Sequence, residues 1–241
     1  MASLLSVQGV SKHFGGFTAL SDVSIDIAEG ERFGLIGPNG SGKTTLINCV
    51  SGLLRNDGGS IFFDGEEISR LPAYQRVRRG IARSFQVPRP FGGMTVAENL
   101  QVPLEYLAHR RTLHTGDTAG EAMEILRTIG LADKAGTPSN RLSQVELRKL
   151  ELARAMAARP RLLISDEAMA GLSSGEVDEV LAILFKLNES GITIIMIEHI
   201  MQAVMRFSQR VICLDAGKII CEGTPASIVQ NVEVQKAYLG A

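Results

Sequence analysis

The sequence predicts an α/β fold around a parallel sheet, and the succession of apolar segments carries that prediction. Short apolar runs at residues 33–36, 162–164 and 192–197 have the length of buried strands. A segment of helical length, residues 180–187, lies between the last two runs. A strand–helix–strand succession favours right-handed crossovers, so these strands are expected to run parallel. Residues 211–214 repeat the apolar pattern near the end of the chain.

Two further regions complete the predicted architecture. Val23, Ile25 and Ile27 alternate with polar residues, as expected of a half-buried strand, and Asp64-Gly65 closes a second alternating run as a hairpin turn. Residues 95–158 are rich in helix formers instead, and we expect helices over residues 96–104 and 121–129. The middle of the chain is therefore interpreted as a helical lobe.

The length predicts one domain. At about 150 residues per domain, a chain of 241 residues fits one large domain or one domain with an inserted lobe. We expect a single domain over residues 1–241, in which residues 1–94 and 159–241 form the core and residues 95–158 the helical lobe. A hairpin loop at residues 215–218 and a closing helix over residues 225–239 complete the prediction.

The composition excludes several classes of protein. Hydrophobic residues make up 45% of the chain and charged residues 21%, which argues against a disordered or fibrous protein. The net charge of −1 lacks the basic excess of proteins that grip nucleic acid through phosphates, so we expect no nucleic-acid partner. Three cysteines without paired spacing predict a reducing compartment. We also expect no signal peptide and no membrane-spanning segment.

A glycine-rich motif follows the first of the parallel strands. Glycines in such a loop turn backbone N–H groups around phosphate oxygens, and the next helix directs its positive end at the same anions. Lys43 is expected to reach the β- and γ-phosphates of ATP, and Thr44 to bind Mg²⁺. The preceding strand and the following helix argue against a chance match. The motif fits G-x-x-x-x-G-K-[ST] and continues into one more threonine: Gly37-Pro38-Asn39-Gly40-Ser41-Gly42-Lys43-Thr44-Thr45.

Two carboxylates follow the apolar run at residues 162–164. Asp166 suits a ligand of Mg²⁺, and Glu167 suits a general base or an orienting group for the attacking water. A solvated strand end would explain the pair equally well in isolation. The phosphate loop elsewhere in the chain favours the catalytic interpretation.

His199 and Gln86 follow two other expected strands, at residues 192–197 and 81–85. Ligands of open parallel sheets bind beyond the carboxyl ends of the strands, so we expect both side chains to converge with the phosphate loop. His199 would then contact the γ-phosphate.

The order of these motifs resembles that of the ATP-binding subunits of ABC transporters, over essentially the whole chain. Five segments are similar to the branched-chain amino-acid importer subfamily: Arg83-Ser84-Phe85-Gln86, Met94-Thr95-Val96-Ala97-Glu98-Asn99, Met169-Ala170-Gly171-Leu172, Ile197-Glu198-His199-Ile200-Met201 and Ala237-Tyr238-Leu239-Gly240. The resemblance implies a P-loop core with a parallel sheet, an amino-terminal antiparallel β lobe and an inserted α-helical lobe.

The resemblance also implies roles for single residues. Phe14 matches the aromatic residue that stacks on adenine, although a packed loop aromatic is the alternative. Gln86 matches the residue that senses the membrane subunit, and it is expected to contribute to catalysis and to the Mg²⁺ site. His199 matches the switch histidine. Ser143 belongs to the signature segment, which meets the nucleotide of a second subunit.

The signature segment departs from the family pattern Leu-Ser-Gly-Gly-Gln. This chain has Leu142-Ser143-Gln144-Val145-Glu146 there. Val145 is expected to crowd a γ-phosphate that glycine would admit, and Glu146 adds a negative charge beside that anion. The segment is also a good capping box for the following helix, and both effects can operate together.

The expected function is ATP binding and hydrolysis that powers an importer of branched-chain or other hydrophobic amino acids. The resemblance implies a second ATPase subunit, two membrane permeases and a periplasmic binding protein, with this chain at the cytoplasmic face of the inner membrane. Three alternatives stay open: a weakly hydrolysing nucleotide-gated module, an importer of amides or urea, and a DNA-repair or translation ATPase.

Overall fold

The structure, a computed structural model, describes residues 3–85, 88–108 and 117–239. Within these residues the strands form two sheets. The first sheet is antiparallel, and its spatial order is β2 (Phe17–Ala28), β1 (Ser3–Phe14), β4 (Gly58–Phe63) and β5 (Glu66–Glu67). The turn between β4 and β5 is the hairpin predicted at Asp64-Gly65.

The second sheet is parallel except at one edge. Its spatial order is β10 (Lys218–Gly223), β9 (Arg210–Asp215), β3 (Arg32–Ile36), β8 (Thr193–Ile197), β7 (Leu162–Asp166) and β6 (Ile81–Ser84). Among the strand pairs described in this second sheet, only the β9–β10 hairpin is antiparallel. The carboxyl ends of β3, β8, β7 and β6 therefore lie at one edge of the sheet.

The helices connect these strands and cover the sheet. Their bounds are α1 (Lys43–Ser51), α2 (Ala73–Arg78), α3 (Val96–Ala108), α4 (Thr118–Ile129), α5 (Gln144–Met156), α6 (Ser174–Glu189), α7 (Met201–Phe207), α8 (Pro225–Gln230) and α9 (Val232–Leu239), with short 3₁₀ turns at Ala132–Lys134 and Ser139–Arg141. Helices α3, α4 and α5 occupy the segment predicted to be a helical lobe. The division of the chain into a core and that lobe stays a prediction. None of the described helices is long and apolar enough to cross a membrane.

Alternation along the parallel strands divides the buried side chains between two hydrophobic cores. In β8, Ile194 and Met196 face the core that contains the helical segment, whereas Ile195 and Ile197 face the core shared with α1 and the antiparallel sheet. Successive side chains of a strand point to opposite faces, so one strand contributes to both layers. The parallel sheet is thereby buried on both sides.

The predicted closing helix over residues 225–239 is wrong as a single helix. The structure has two helices, α8 and α9, that are separated at Asn231. Asn231 has an extended backbone (ψ 122°), and its Oδ1 accepts hydrogen bonds from the backbone N–H groups of Glu233 and Val234 at 2.9 and 3.2 Å. A side chain that caps the next helix interrupts the preceding one.

Arg76 holds the end of α1 against α2. It is only 1% exposed, and its guanidinium donates to the backbone carbonyl oxygens of Cys49, Val50, Ser69 and Leu71 at 2.6 to 3.1 Å. Two of these carbonyls lie in the last turn of α1, where helical partners are missing. Burial lowers the pKa of Arg76.

We expect Arg76→Met to lower the free energy of unfolding by about 3 kcal/mol or more, because several buried carbonyls lose a charged donor. Arg79→Met is the matched control, since Arg79 is exposed and bonds Glu66 in a surface pair, which is worth about 0–1 kcal/mol. Urea unfolding of the two variants and the wild type measures the difference. Equal losses in both variants would contradict this role for Arg76.

Candidate functional site

The loop between β3 and α1 has a backbone that requires glycine. Gly37, Gly40 and Gly42 have φ angles of 147°, 79° and 106°. A Cβ on Gly37 would lie 2.1 Å from the carbonyl oxygen of Leu214, and one on Gly42 would lie 2.6 Å from that of Ala19. The glycines therefore allow both the turn and the close approach of neighbouring backbone. The structure gives this loop the strand–loop–helix context that the sequence predicted.

Lys43 is folded onto the loop that precedes it. Its Nζ donates to the carbonyl oxygens of Gly37 and Pro38 at 2.7 and 2.9 Å, and the residue is only 7% exposed. Burial lowers the pKa of Lys43, and the nearby negative charge of Glu167 opposes that shift. A buried ammonium held against a glycine-rich loop supplies a positive charge for an anion.

The loop also fits a phosphate by its remaining polar atoms. The Oγ of Ser41 is buried and has no hydrogen-bond partner among the described residues. Gly42 is the N-cap of α1, and no side chain caps its first turn. Backbone donors at an uncapped helix start suit an anionic oxygen. Pro38, Asn39, Gly40 and Thr45 complete the predicted binding segment.

Two of the predicted metal ligands, Thr44 and Asp166, line the same cavity as Glu167. Thr44, Asp166 and Glu167 line a cavity of about 630 Å³ between the sheet edge and the helical segment. The Oδ2 of Asp166 accepts from Nη2 of Arg83 at 2.5 Å, and Nη1 of Arg83 donates to Asn48 Oδ1 at 2.7 Å. Arg83, which also lines the cavity, thus ties β6, β7 and α1 together at the site.

Glu167 and His199 meet as the sequence predicted for groups at the ends of neighbouring strands. His199 Nε2 lies 3.0 Å from Glu167 Oε1. The backbone of Glu167 has a φ of +48°, which costs a non-glycine residue about 1–3 kcal/mol. The N–H of Glu167 donates to the carbonyl of Ile197 at 2.9 Å, which extends the β7–β8 pairing to this residue. The sheet therefore holds the backbone of Glu167 in a strained conformation, and the carboxylate of Glu167 lies beside His199.

Sequence reasoning missed Glu198, which is 2% exposed next to His199. Its Oε1 accepts the backbone N–H of Met169 at 2.9 Å, so it links the end of β8 to the loop after Glu167. Burial raises the pKa of Glu198 to about 7, and the charge of Glu167 adds to the rise, while the Met169 N–H and Arg148 oppose it. An acidic residue directly after a buried apolar strand was the available sequence signal.

The other predicted site residues lie elsewhere on the chain. Phe14 ends β1 and is 48% exposed, with Lys12 Nζ 5.5 Å from its ring centroid. The adjoining strand β2 reaches the phosphate loop, since a Cβ on Gly42 would lie 2.6 Å from the carbonyl oxygen of Ala19. Gln86 lies outside the described residues, so its predicted position at the sheet edge stays a prediction.

Ser143 acts in the structure as a helix cap. Its Oγ accepts the Glu146 N–H at 3.3 Å, and Glu146 Oε2 accepts the Ser143 N–H at 2.8 Å. The expected capping box of α5 is therefore present. These hydrogen bonds lower the pKa of Glu146, so its carboxylate stays ionised at neutral pH.

Gln144 and Arg148 connect the same helix to the loop after Glu167. Gln144 Nε2 and Arg148 Nη2 both donate to the carbonyl of Ala170, at 3.3 and 3.2 Å. A Cβ on Gly171 would lie 2.7 Å from Gln144 Nε2. The altered signature is therefore packed against this chain's own loop.

A family model described as "ABC transporter" matches residues 20–170 of the chain. The chain belongs to the ABC transporter family. A second model, described as a branched-chain amino acid ATP-binding cassette transporter, matches residues 218–241. The predicted family, fold class and transport ATPase activity are thereby confirmed.

Two curated relatives cover nearly the whole ABC chain. The BraF protein of Pseudomonas aeruginosa, a high-affinity branched-chain amino acid transport ATP-binding protein, is 39% identical over 98% of each chain. The LptB protein of Haemophilus influenzae, from a lipopolysaccharide export system, is 35% identical over 99% of this chain and 98% of its own.

Two solved structures share the fold. The ADP conformation of MJ1267, an ATP-binding cassette of an ABC transporter, has a TM-score of 0.90 at 30% identity and full coverage of both chains. A dimeric post-hydrolysis state of the cassette MJ0796 with ADP and Pi has a TM-score of 0.81 at 26% identity, over 92% of this chain and 98% of that one. Members of this fold thus bind nucleotide at the cassette.

We expect Glu198→Gln to stabilise the protein at high pH. A carboxyl whose folded pKa exceeds its unfolded value stabilises the fold below the unfolded pKa, and this contribution is lost as the pH rises through the folded pKa near 7. The amide retains an oxygen for the Met169 N–H and does not ionise. The free energy of unfolding of the variant, relative to that of the wild type, should therefore rise by about 2 kcal/mol between pH 5 and pH 8.

Denaturant unfolding at both pH values measures this change. Glu189→Gln is the control, because Glu189 is exposed at the end of α6. An effect of Glu198→Gln that is equal at both pH values would contradict the buried, proton-binding carboxyl.

Proposed function

We propose that the chain binds Mg-ATP at residues 37–45 and hydrolyses it to power an importer of branched-chain or other hydrophobic amino acids. The observation that carries the proposal is the convergence of three strand ends. Lys43, Thr44, Asp166, Glu167 and His199 follow or end β3, β7 and β8 at one sheet edge. This is where ligands of open α/β sheets bind.

Glu167 is proposed to accept a proton from the attacking water. It lies in the cavity that Thr44 and Asp166 also line, and its carboxylate contacts His199. A positioned carboxylate can orient water and take its proton as the bond to the γ-phosphate forms. His199 would hold the carboxylate in place and reach the same phosphate.

The residues present also fit Mg²⁺. Thr44 and Asp166 supply a hydroxyl and a carboxylate, which are the hard oxygen donors that this ion prefers. Both residues line the same cavity. The ion would neutralise charge on the phosphate oxygens. Gln86 remains proposed as a third contributor.

The proposed assembly pairs this cassette with a second ATPase subunit and two permeases, served by a periplasmic binding protein. The dimeric state of MJ0796 supports a pair of cassettes. Leu53 and Phe85 are 53% and 46% exposed and line the cavity together with Val77 and Pro103. Exposed apolar side chains support a protein contact, and we assign Leu53 and Phe85, rather than the part of the cavity at Thr44 and Asp166, to a permease at the cytoplasmic face of the inner membrane.

The proposed substrate class rests on the carboxyl-terminal segment. The branched-chain transporter model covers residues 218–241, and BraF supports the same class. LptB, at 35% identity, belongs to a system with a different cargo. Import of amides or urea therefore remains the second candidate, and transport assays with the cognate permeases distinguish the two.

The altered signature supports two unequal ATP sites when this chain pairs with a different subunit. Ser143 and Glu146 use their backbone N–H groups on each other's side chains, so the start of α5 offers fewer donors to an anion. The ionised Glu146 also repels a γ-phosphate. The site built on Lys43 and Glu167 would then carry most of the hydrolysis.

We expect Glu167→Gln to lower ATP turnover by about a hundredfold or more while ATP still binds, because the amide cannot accept the proton of water. ATPase activity of the reconstituted transporter measures the change. Glu189→Gln, exposed at the end of α6, is the control and should keep normal turnover. Near-normal turnover of Glu167→Gln, with the partner subunit's matching glutamate also disabled, would rule out the assigned role.

Ser143→Ala in the same assay tests the inequality of the two sites. It should cost little, because Ser143 faces the weaker site. Damage as severe as that of Glu167→Gln would show that the signature works despite its sequence and that the sites are equal.

A further inference from the structure

Tyr238, near the end of α9, contacts the first residue of the phosphate loop. The backbone N–H of Gly37 donates to the hydroxyl oxygen of Tyr238 at 2.8 Å, although 201 positions separate the two residues in sequence. Burial raises the pKa of Tyr238, and the hydrogen bond from Gly37 opposes the rise. The hydroxyl is therefore neutral at physiological pH.

The carboxyl-terminal helices bring Tyr238 to this position. Ile228 of α8 and Val234 of α9 are 0% and 4% exposed, and both belong to the hydrophobic core that contains the helical segment. Between them, Asn231 donates from Nδ2 to Sγ of Cys221 in β10 at 3.1 Å. Two buried apolar side chains and one side-chain hydrogen bond thus dock α8 and α9 on the body of the protein.

Gly37 is the residue on which Lys43 is held. Its carbonyl oxygen accepts a hydrogen bond from Lys43 Nζ at 2.7 Å, and its N–H donates to the hydroxyl oxygen of Tyr238. No side chain fits at Gly37, because a Cβ would lie 2.1 Å from the carbonyl oxygen of Leu214. The loop is braced at a second point, where the Gly217 N–H donates to the carbonyl of Ser41 at 2.9 Å.

We propose that Tyr238 is a positioning residue for nucleotide: its hydroxyl fixes the Ile36–Gly37 peptide and, through the Gly37 backbone, the next peptide of the loop, whose carbonyl oxygen holds the ammonium of Lys43. This inference rests on the proposed nucleotide site and adds a residue from outside it. The carboxyl-terminal helices are thereby part of the nucleotide-binding apparatus and contribute to affinity.

We expect Tyr238→Phe to weaken binding of Mg-ADP about three- to tenfold, the effect of one lost hydrogen bond at a partly buried amide. The ring is retained, and so are the docking contacts of Ile228 and Val234. Calorimetric titration of the full-length protein gives the Kd. Tyr74→Phe is the matched control, because the Tyr74 hydroxyl bonds the side chain of Gln75, and it should change the Kd less than about twofold.

Amide hydrogen exchange at Gly37 provides the second measurement. Exchange at this amide should be slow in the wild type and faster in Tyr238→Phe, with nucleotide absent. Fast exchange of the Gly37 amide in the wild type would overturn the proposal. The proposal can therefore be tested even if Tyr238→Phe fails to fold.

The outcomes separate this inference from the proposed function. If the wild type binds Mg-ADP and Tyr238→Phe binds equally well, the proposal is overturned, even where the melting temperature of the nucleotide-free variant falls, because the hydroxyl then only stabilises the fold. If the wild type itself does not bind Mg-ADP, the proposed function fails and this inference fails with it.

Discussion

Close packing of the phosphate loop against neighbouring backbone is the constraint on which the site depends. Cβ atoms on Gly37, Gly42 and Gly217 would each lie 2.1 to 2.7 Å from a backbone carbonyl oxygen, of Leu214 at the first and Ala19 at the other two. A side chain at Gly37 or Gly42 would separate the loop from the end of β9 or from β2, and one at Gly217 would separate from β2 the β9–β10 turn that donates to the loop. The loop's backbone donors to a phosphate would then be displaced. The ammonium of Lys43 would be displaced as well, because it donates hydrogen bonds to carbonyl oxygens of the same loop.

The second requirement is that several charges share a small volume. Asp166 and Glu167 lie beside the buried cation Lys43, and Arg83 pairs with Asp166. Glu198 stays protonated up to about pH 7 because it is buried. Glu198 is buried and Asp166 pairs with Arg83, whereas Glu167 lines the cavity beside His199, where it is placed to act on water. The strained backbone of Glu167 belongs to this arrangement, since it aims the carboxylate toward His199.

Local patterns in the sequence predicted the parallel strands and the candidate site residues that follow them, whereas the resemblance to ABC transporter subunits supplied the antiparallel lobe. Strand ends of a parallel sheet meet at one edge. The meeting of the glycine-rich loop, the two carboxylates after β7 and His199 after β8 could therefore be predicted. The strand β1 was missed, and the split between α8 and α9 depends on the side chain of Asn231. Arg83 beneath Asp166, and Tyr238 against Gly37, are contacts across the fold, and no local spacing predicts them.

Calorimetric titration of the wild type and Lys43→Ala with Mg-ATP tests the central claim most directly. The account predicts that the wild type binds and that the loss of the ammonium weakens binding about tenfold to a hundredfold, the effect of a charged hydrogen bond. Lys186→Ala, exposed on α6, should bind as the wild type does. Equal affinity in Lys43→Ala and the wild type would contradict the assignment of the nucleotide site to this loop.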